Sequence, residues 1–286
     1  MLKVKEMSMY QVLLLFMRLR NKSSSTMIKT FFKKHFRLVR VLVLYFVGAM
    51  LISLSTLSFY YLRTPWVLVI IIVVAFIFSY FGPLWYHLFL KSKSYKGKYE
   101  ERLYFFTTSQ KIKLQGIYTI ESKSSQAFTC GFGRSKSVFY HSNVLENHPY
   151  DEIEAVIAHE LGHQAHGDIT LYTSIVSIIL VFSSILNVAL FSYIQTHLVV
   201  LLFFCLLTAA IFLPIVLAVS RWREGMADQY AYDALKDKTA FARFFERLLK
   251  YYEKENGVKV GKTISRVATL FLTHPFIYER IRVFKK

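Results

Sequence analysis

Cysteine is scarce in this chain: only Cys130 and Cys205 occur in 286 residues, and Cys205 lies inside an apolar run. A disulfide framework of the kind that staples small secreted domains is excluded, so the chemistry belongs to a reducing compartment or is indifferent to redox. Acidic residues are scarce too, with 18 Asp and Glu against 36 Lys and Arg and a formal net charge of +18. No nucleic-acid recognition motif accompanies that charge, and the basic residues gather beside apolar runs instead, so no nucleic-acid partner is expected. A cleavage site of small residues is also missing near the N-terminus, where the short apolar core "VLLLFM" is followed by "RLRNKSSS". The first forty residues therefore read as a cytosolic, surface-lying basic helix or as a basic tail, not as a cleavable leader. No internal repeat or low-complexity linker breaks the chain.

Apolar residues are what the chain has in quantity. They make up 54% of it, with 26 Phe, 19 Tyr and a mean hydropathy of +0.36, too apolar for an ordinary soluble domain. The uncharged run from Val41 to Leu62 is long enough, as a helix, to cross a hydrocarbon core of about 30 Å. A second run follows from Trp66 to Leu90, and "YFGPLWYHLF" supplies an interfacial aromatic belt at its far end. Two more runs, Leu171 to Ile194 and Leu198 to Val219, form a second hairpin, with Pro214 expected to kink its return helix. Between the hairpins the alternation in "KIKLQGIYTI" and "QAFTCGFGRSKSVFY" predicts strands, the latter turning at Gly131 and Gly133. Lys and Arg concentrate in the first forty residues, after the second span and in "RWR" beyond the fourth. That bias predicts four spans in the cell membrane, with both termini and residues 91–168 and 220–286 on the cytosolic face. The expected organisation is a basic segment 1–40, a membrane hairpin 41–90, strands and a helix over 91–170, a second hairpin 171–219 and a helical part 220–286.

The polar stretch "AVIAHELGHQAHGD", residues 155 to 168, stands out against this background. Apolar Ile153, Val156, Ile157 and Leu161 follow helical spacing after a Pro149-Tyr150-Asp151 start. Residues four apart share a helix face, so His159 and His163 can offer two imidazoles to one metal ion while Glu160 sits beside them. A catalytic zinc needs a third protein ligand and an open position for water. Glu224 is the best candidate, because "REGMAD" heads a polar helix that re-emerges on the same side of the membrane. Asp228, one turn later, can accept a hydrogen bond from a ligand imidazole and fix its tautomer. Taken alone, Glu224 and Asp228 would read as an ordinary charged helix. His166, two turns from His159, reads as a neighbouring or solvated group, and Asp168 as a helix-end residue or a support for the ligands.

"HELGH" followed across a membrane hairpin by "EGMAD" resembles the M48 family of integral-membrane zinc metalloproteases, and the layout is most similar to its HtpX-like members. "GFGRSKSVFYHSNVL", "HGD" and "HPFIYERI" are similar to further family segments, so the resemblance runs from about Gln126 to Arg282. Gln126-Ala127 departs from the family's usual Asn-Ala, and "HELGH" itself leans toward the Ste24-like CAAX proteases, which have more spans. The resemblance implies a mainly α membrane protein with four transmembrane helices and a cytosolic α+β zincin-type protease domain. It implies one Zn²⁺ on His159, His163 and Glu224, with Glu160 as general base. It also puts His274 and Arg280 near the site as donors to the oxyanion or substrate backbone; otherwise they are a helix-stopping His-Pro and a surface arginine. The strand from Ala127 to Gly131 either pairs with an extended substrate or is a structural hairpin. Polypeptide substrates, above all membrane proteins, and the lipid bilayer are the expected partners. The expected role is membrane-protein quality control; the alternatives are a dedicated CAAX-type maturation protease and a protease-like signal transducer.

Overall fold

The computed structural model describes residues 36–62, 64, 66–122, 125–194, 198–256, 274 and 277–285. The expected basic segment therefore lies outside the described residues except for its last few positions. The chain forms two compact units: Met1–Met50, of which only the beginning of the first helix is described, and Leu51–Lys286, which holds the rest of that helix, the sheet and the candidate site.

Helix α1 (Phe36–Leu62) contains the first expected span. The second is not one rod: α2 (Trp66–Tyr80) and α3 (Gly82–Leu90) meet at 62° around Phe81. Gly82 and Pro83 stand at the start of α3, where proline's fixed φ and missing N–H suit a first helical turn. After the two-residue strand β1 (Lys93–Ser94) comes α4 (Glu100–Ser109), where strands were expected. Glu100 and Glu101 complement its N-terminus, and Leu103, Phe106 and Thr107 are buried at the i, i+3, i+4 spacing of one helix face.

Strands β2 (Gly116–Ile120), β3 (Ala127–Cys130) and β4 (Ser137–His141) join β1 in a sheet of order β1-β2-β4-β3. The β2–β4 pair is parallel and the other two pairs are antiparallel. Gly131 (φ +75°) and Gly133 (φ +61°) turn the β3–β4 hairpin as expected. A Cβ on Gly131 would also stand 2.3 Å from the Ser135 carbonyl oxygen, so the position admits nothing larger. Alternation along β4 sorts the two faces of the sheet. Val138 and Tyr140 join Ile153, Ile157 and Leu161 in the main core, whereas Phe139 packs with Phe128, Cys130 and Tyr86 of α3.

A short α5 (Ser142–Asn147) leads into α6 (Tyr150–Ala165), which carries the polar stretch. Asp151 and Glu152 occupy its first turn, and Gly167, at φ +68°, ends it in the left-handed geometry that glycine adopts freely. The Gln164 amide ties its last turn to β3, donating to Thr129 Oγ1 and to the carbonyls of Cys130 and Gly131. Helix α7 (Asp168–Ile194) then leaves, and α8 (Leu198–Ala234) returns as one uninterrupted helix of 37 residues with Pro214 inside it. At 1.5 Å per residue it is about 55 Å long, well beyond a hydrocarbon thickness. The polar segment expected as a separate helix after the fourth span is thus the end of the span helix itself. Helices α9 (Ala240–Asn256) and α10 (Ile277–Val283) close the core through Phe241, Phe244, Phe245, Ile281 and Phe284.

Among the described residues, α7 and α8 are long and apolar enough to cross a membrane, and the bent α2–α3 pair makes a third if counted as one span. Val47–Leu62 is a shorter apolar helix. The outward side chains Val73, Ile77, Phe182, Phe203, Ile211 and Ile215 are all exposed, a surface that suits lipid and not water.

Candidate metal centre

Helices α6 and α8 cross with almost no side chain between them. Gly162 lies against Ala227, whose Cα would be 2.9 Å from a Cβ placed on the glycine. This approach brings the outer face of "HELGH" onto the "REGMAD" turn of α8. His159 Nε2 and His163 Nε2 lie 3.2 Å apart, and Glu224 reaches both, Oε2 to His159 at 3.3 Å and Oε1 to His163 at 3.6 Å. One ligand atom from each of the three lies within 4.8 Å of the others, the spacing of a shared cation. All seven residues expected at the site are described.

Each histidine is held from behind. His159 Nδ1 donates to Asp228 Oδ1 at 2.9 Å, and Arg280 grips that carboxylate with Nε at 2.8 Å and Nη2 at 2.5 Å. His163 Nδ1 donates to Asp168 Oδ2 at 2.6 Å, and Arg223 Nε donates to Asp168 Oδ1 at 2.5 Å. Because ionised carboxylates only accept, both imidazoles carry a proton on Nδ1 and turn Nε2 inward. Arg280 is buried against the Phe241 and Phe245 rings and committed to Asp228. The structure places it behind His159, with Nη2 also 3.7 Å from Glu224 Oε2. His274, 51% exposed in its side chain, has Nδ1 2.8 Å from Glu224 Oε1 and lies at the open side of the cluster. His166 caps α6 and faces the Tyr230 ring.

The electrostatics favour a cation. Burial works against a charged His159, but the Asp228 and Glu224 carboxylates outweigh it and hold the imidazole up at about 9. Burial pushes the Glu160 carboxyl above the usual carboxylate range, against the pull of His159 and His163, a placement suited to taking up and returning a proton. Glu224 Oε2 is buried and makes no well-formed hydrogen bond, with only ionic neighbours in His159 Nε2 at 3.3 Å and Arg280 Nη2 at 3.7 Å, a carboxylate oxygen that a metal would satisfy. Metal-free, His159 is an imidazolium at neutral pH, and a zinc ion would displace its Nε2 proton. Two imidazoles, one carboxylate and an open side then make the donor set of a catalytic zinc, and the residues fit that ion.

Residues 99–286, more than half of the chain, match Peptidase family M48. The chain belongs to that family. This M48 chain is 30% identical over 185 residues to a Protease HtpX homolog of Helicobacter pylori, covering 59% of this chain and 60% of that protein. It is 32% identical over 184 residues to a Protease HtpX homolog of Bacillus pumilus, covering 58% and 61%. The match spans about three fifths of the length of these curated relatives. Its fold is similar to that in the crystal structure of S. mikatae Ste24p, with a TM-score of 0.64 and 17% identity over 91% of this chain and 66% of that one.

Arg223 was not among the expected site residues. In sequence it is part of "RWR", which reads as a membrane-flanking charge. Its position beside Glu224 does not separate it, since Trp222 shares the same turn of α8 and is exposed.

Proposed function

We propose that the protein is a membrane-embedded zinc endopeptidase whose site lies at the cytosolic surface and cuts membrane proteins in quality control. The observation that carries this reading is the convergence of His159, His163 and Glu224 beside Glu160. A bound zinc ion supplies a Lewis acid for the scissile carbonyl and makes water acidic enough to attack at neutral pH. Glu160 accepts the proton of the attacking water and delivers it to the leaving amine nitrogen. Asp228 and Asp168 hold the imidazoles in register, Arg280 keeps Asp228 in place, and His274 donates to the oxygen on which negative charge develops.

The free edge of β3 supports an extended substrate. His141 N–H donates to the Gln126 carbonyl at 2.9 Å, so in the alternating antiparallel pattern the N–H and C=O of Ala127 and Thr129 face away from β4. A substrate strand added there is held by its backbone, and specificity is broad. Four spans, counting α1 and the bent α2–α3 pair with α7 and α8, carry the site at the membrane surface. The fold likeness to Ste24p favours one second reading, a dedicated CAAX-type maturation protease.

The test uses the full chain in detergent micelles, with zinc content and cleavage of an unprenylated membrane reporter as readouts. The native protein should hold one zinc per chain and cleave the reporter. Glu160→Gln should keep the metal and lose about 10²–10⁴-fold in rate. Undiminished cleavage by that variant, or full activity after zinc removal, refutes the mechanism. Cleavage confined to prenylated peptides selects the maturation reading.

A further inference from the structure

We infer that Arg223 is a positioning residue of the metal centre: it fixes the Asp168 carboxylate that orients His163, and it locks the end of α6 to both legs of the α7–α8 hairpin. The inference rests on the metal reading above and extends it to a residue with no assigned role.

Asp168 is 1% exposed and its two oxygens are divided between two partners. Oδ2 takes His163 Nδ1–H, while Oδ1 takes Arg223 Nε, with Arg223 Nη2 also on Oδ1. A carboxylate held at one oxygen by a planar guanidinium cannot rotate about its Cβ–Cγ bond without breaking that contact, so its other oxygen stays aimed at the imidazole. Arg223 Nη2 also donates to the His166 carbonyl at 2.9 Å, which satisfies an otherwise free carbonyl at the C-terminal end of α6. The guanidinium thus bridges Gly167, the positive-φ residue where α6 gives way to α7.

Simple membrane-flanking charge does not account for this residue. Such charges reach outward to headgroups and water, yet Arg223 is 6% exposed while its neighbour Trp222 is 60% exposed. Its covalent neighbour is Glu224, so one turn of α8 supplies both a ligand and the group that aims another ligand.

The test compares native protein, Arg223→Met, Arg223→Lys, Asp168→Asn and the Arg223→Met/Asp168→Asn double variant, all full-length in detergent micelles. Zinc affinity is measured by chelator competition, the coordination sphere by the visible spectrum of the Co²⁺ form, and helicity by circular dichroism. Arg223→Met should weaken zinc binding about 10–100-fold and alter the Co²⁺ bands at unchanged helicity. Arg223→Lys should recover part of the loss, since an ammonium can meet Asp168 but not span to His166. In the Asp168→Asn background, loss of Arg223 should cost little more. Native zinc binding with an Arg223→Met affinity and spectrum equal to native overturns the inference, as does an undiminished Arg223 effect without the Asp168 charge. If Arg223→Met fails to fold, Asp168→Asn, of the same shape as the native side chain, carries the test, and an unchanged affinity there overturns it. Native protein that binds no zinc overturns the metal reading itself, and this inference with it.

Discussion

The two histidine supports use the same chemistry and are supplied in opposite ways. Behind His163 stand Asp168, the first residue of α7, and Arg223, which shares a helical turn with Glu224. Behind His159 stand Asp228 and Arg280, the latter 52 residues further along on the seven-residue helix α10. The His163 support is drawn wholly from the α7–α8 hairpin. The His159 support takes its carboxylate from the same hairpin but its cation from a short helix anchored by Ile281 and Phe284 in the main core. One centre therefore combines a brace built within the hairpin with one completed from the C-terminal helix.

That contrast is tested most strongly by Arg280→Met. It leaves Asp228 buried beside His159 with its cation gone, a change that costs about 3–5 kcal/mol when one partner of a buried pair is removed. The expected outcome is a lowered thermal midpoint and faster proteolysis of the C-terminal segment, while α6 and α8 stay protected in hydrogen exchange. Equal loss of protection in α6 and α8 would mean that the two supports are not separable.

Gly162→Ala strikes both supports at once. Its Cβ would meet Ala227 Cα at 2.9 Å and the Ala227 carbonyl oxygen at 3.1 Å, so α8 must move away, at about 1–3 kcal/mol for an overpacked contact. Zinc affinity should fall with it. Gly225→Ala is the control: an added Cβ there meets nothing within 4 Å. It should leave zinc affinity unchanged and stabilise α8 by up to about 1 kcal/mol.

The smallest effect lies outside both supports. Arg243 pairs with Asp151 in the first turn of α6 and with Asp237, and its hydrogen bond, aided by Thr239, lowers the Asp237 carboxyl to about 2. A folded-state pKa below the unfolded value of roughly 4 means the pair stabilises the fold above that value and loses its contribution as pH falls toward 2. The pair is exposed and screened, so the contribution stays below about 1 kcal/mol. Asp237→Asn should lower the thermal midpoint slightly at pH 7, by a margin that shrinks below pH 4, with zinc affinity unaltered throughout.

How much of this was legible depends on whether the signal was local. The shared face of His159 and His163 follows from helical period alone, and Glu224 follows from where the hairpin must re-emerge. The Gly131–Gly133 turn was readable because positive φ selects glycine. Helix α4 was not, because its ten residues are short and run directly up to the alternating segment that begins at Lys111, so its buried triplet of Leu103, Phe106 and Thr107 is declared mainly by packing. The bend at Phe81 hid inside a continuous apolar run whose hydropathy reports length but not direction. Arg223 was hidden most completely. A charge after a span serves topology in any membrane protein, and only the close crossing at Gly162 and Ala227, a tertiary fact, buries this one against Asp168. Arg280 stands behind His159 for a tertiary reason too, since Ile281 and Phe284 seat its helix in the main core.

The continuity of α8 also has a consequence in time. Glu224 follows His163 by sixty-one positions, and it is carried by the same unbroken helix that returns from the far end of the hairpin. During synthesis the two imidazoles emerge first and remain an incomplete pair while all of α7 and most of α8 are made. Glu224 reaches them only once the hairpin has folded back on itself. On the proposed reading, completion of the hairpin is therefore the event that completes the metal site.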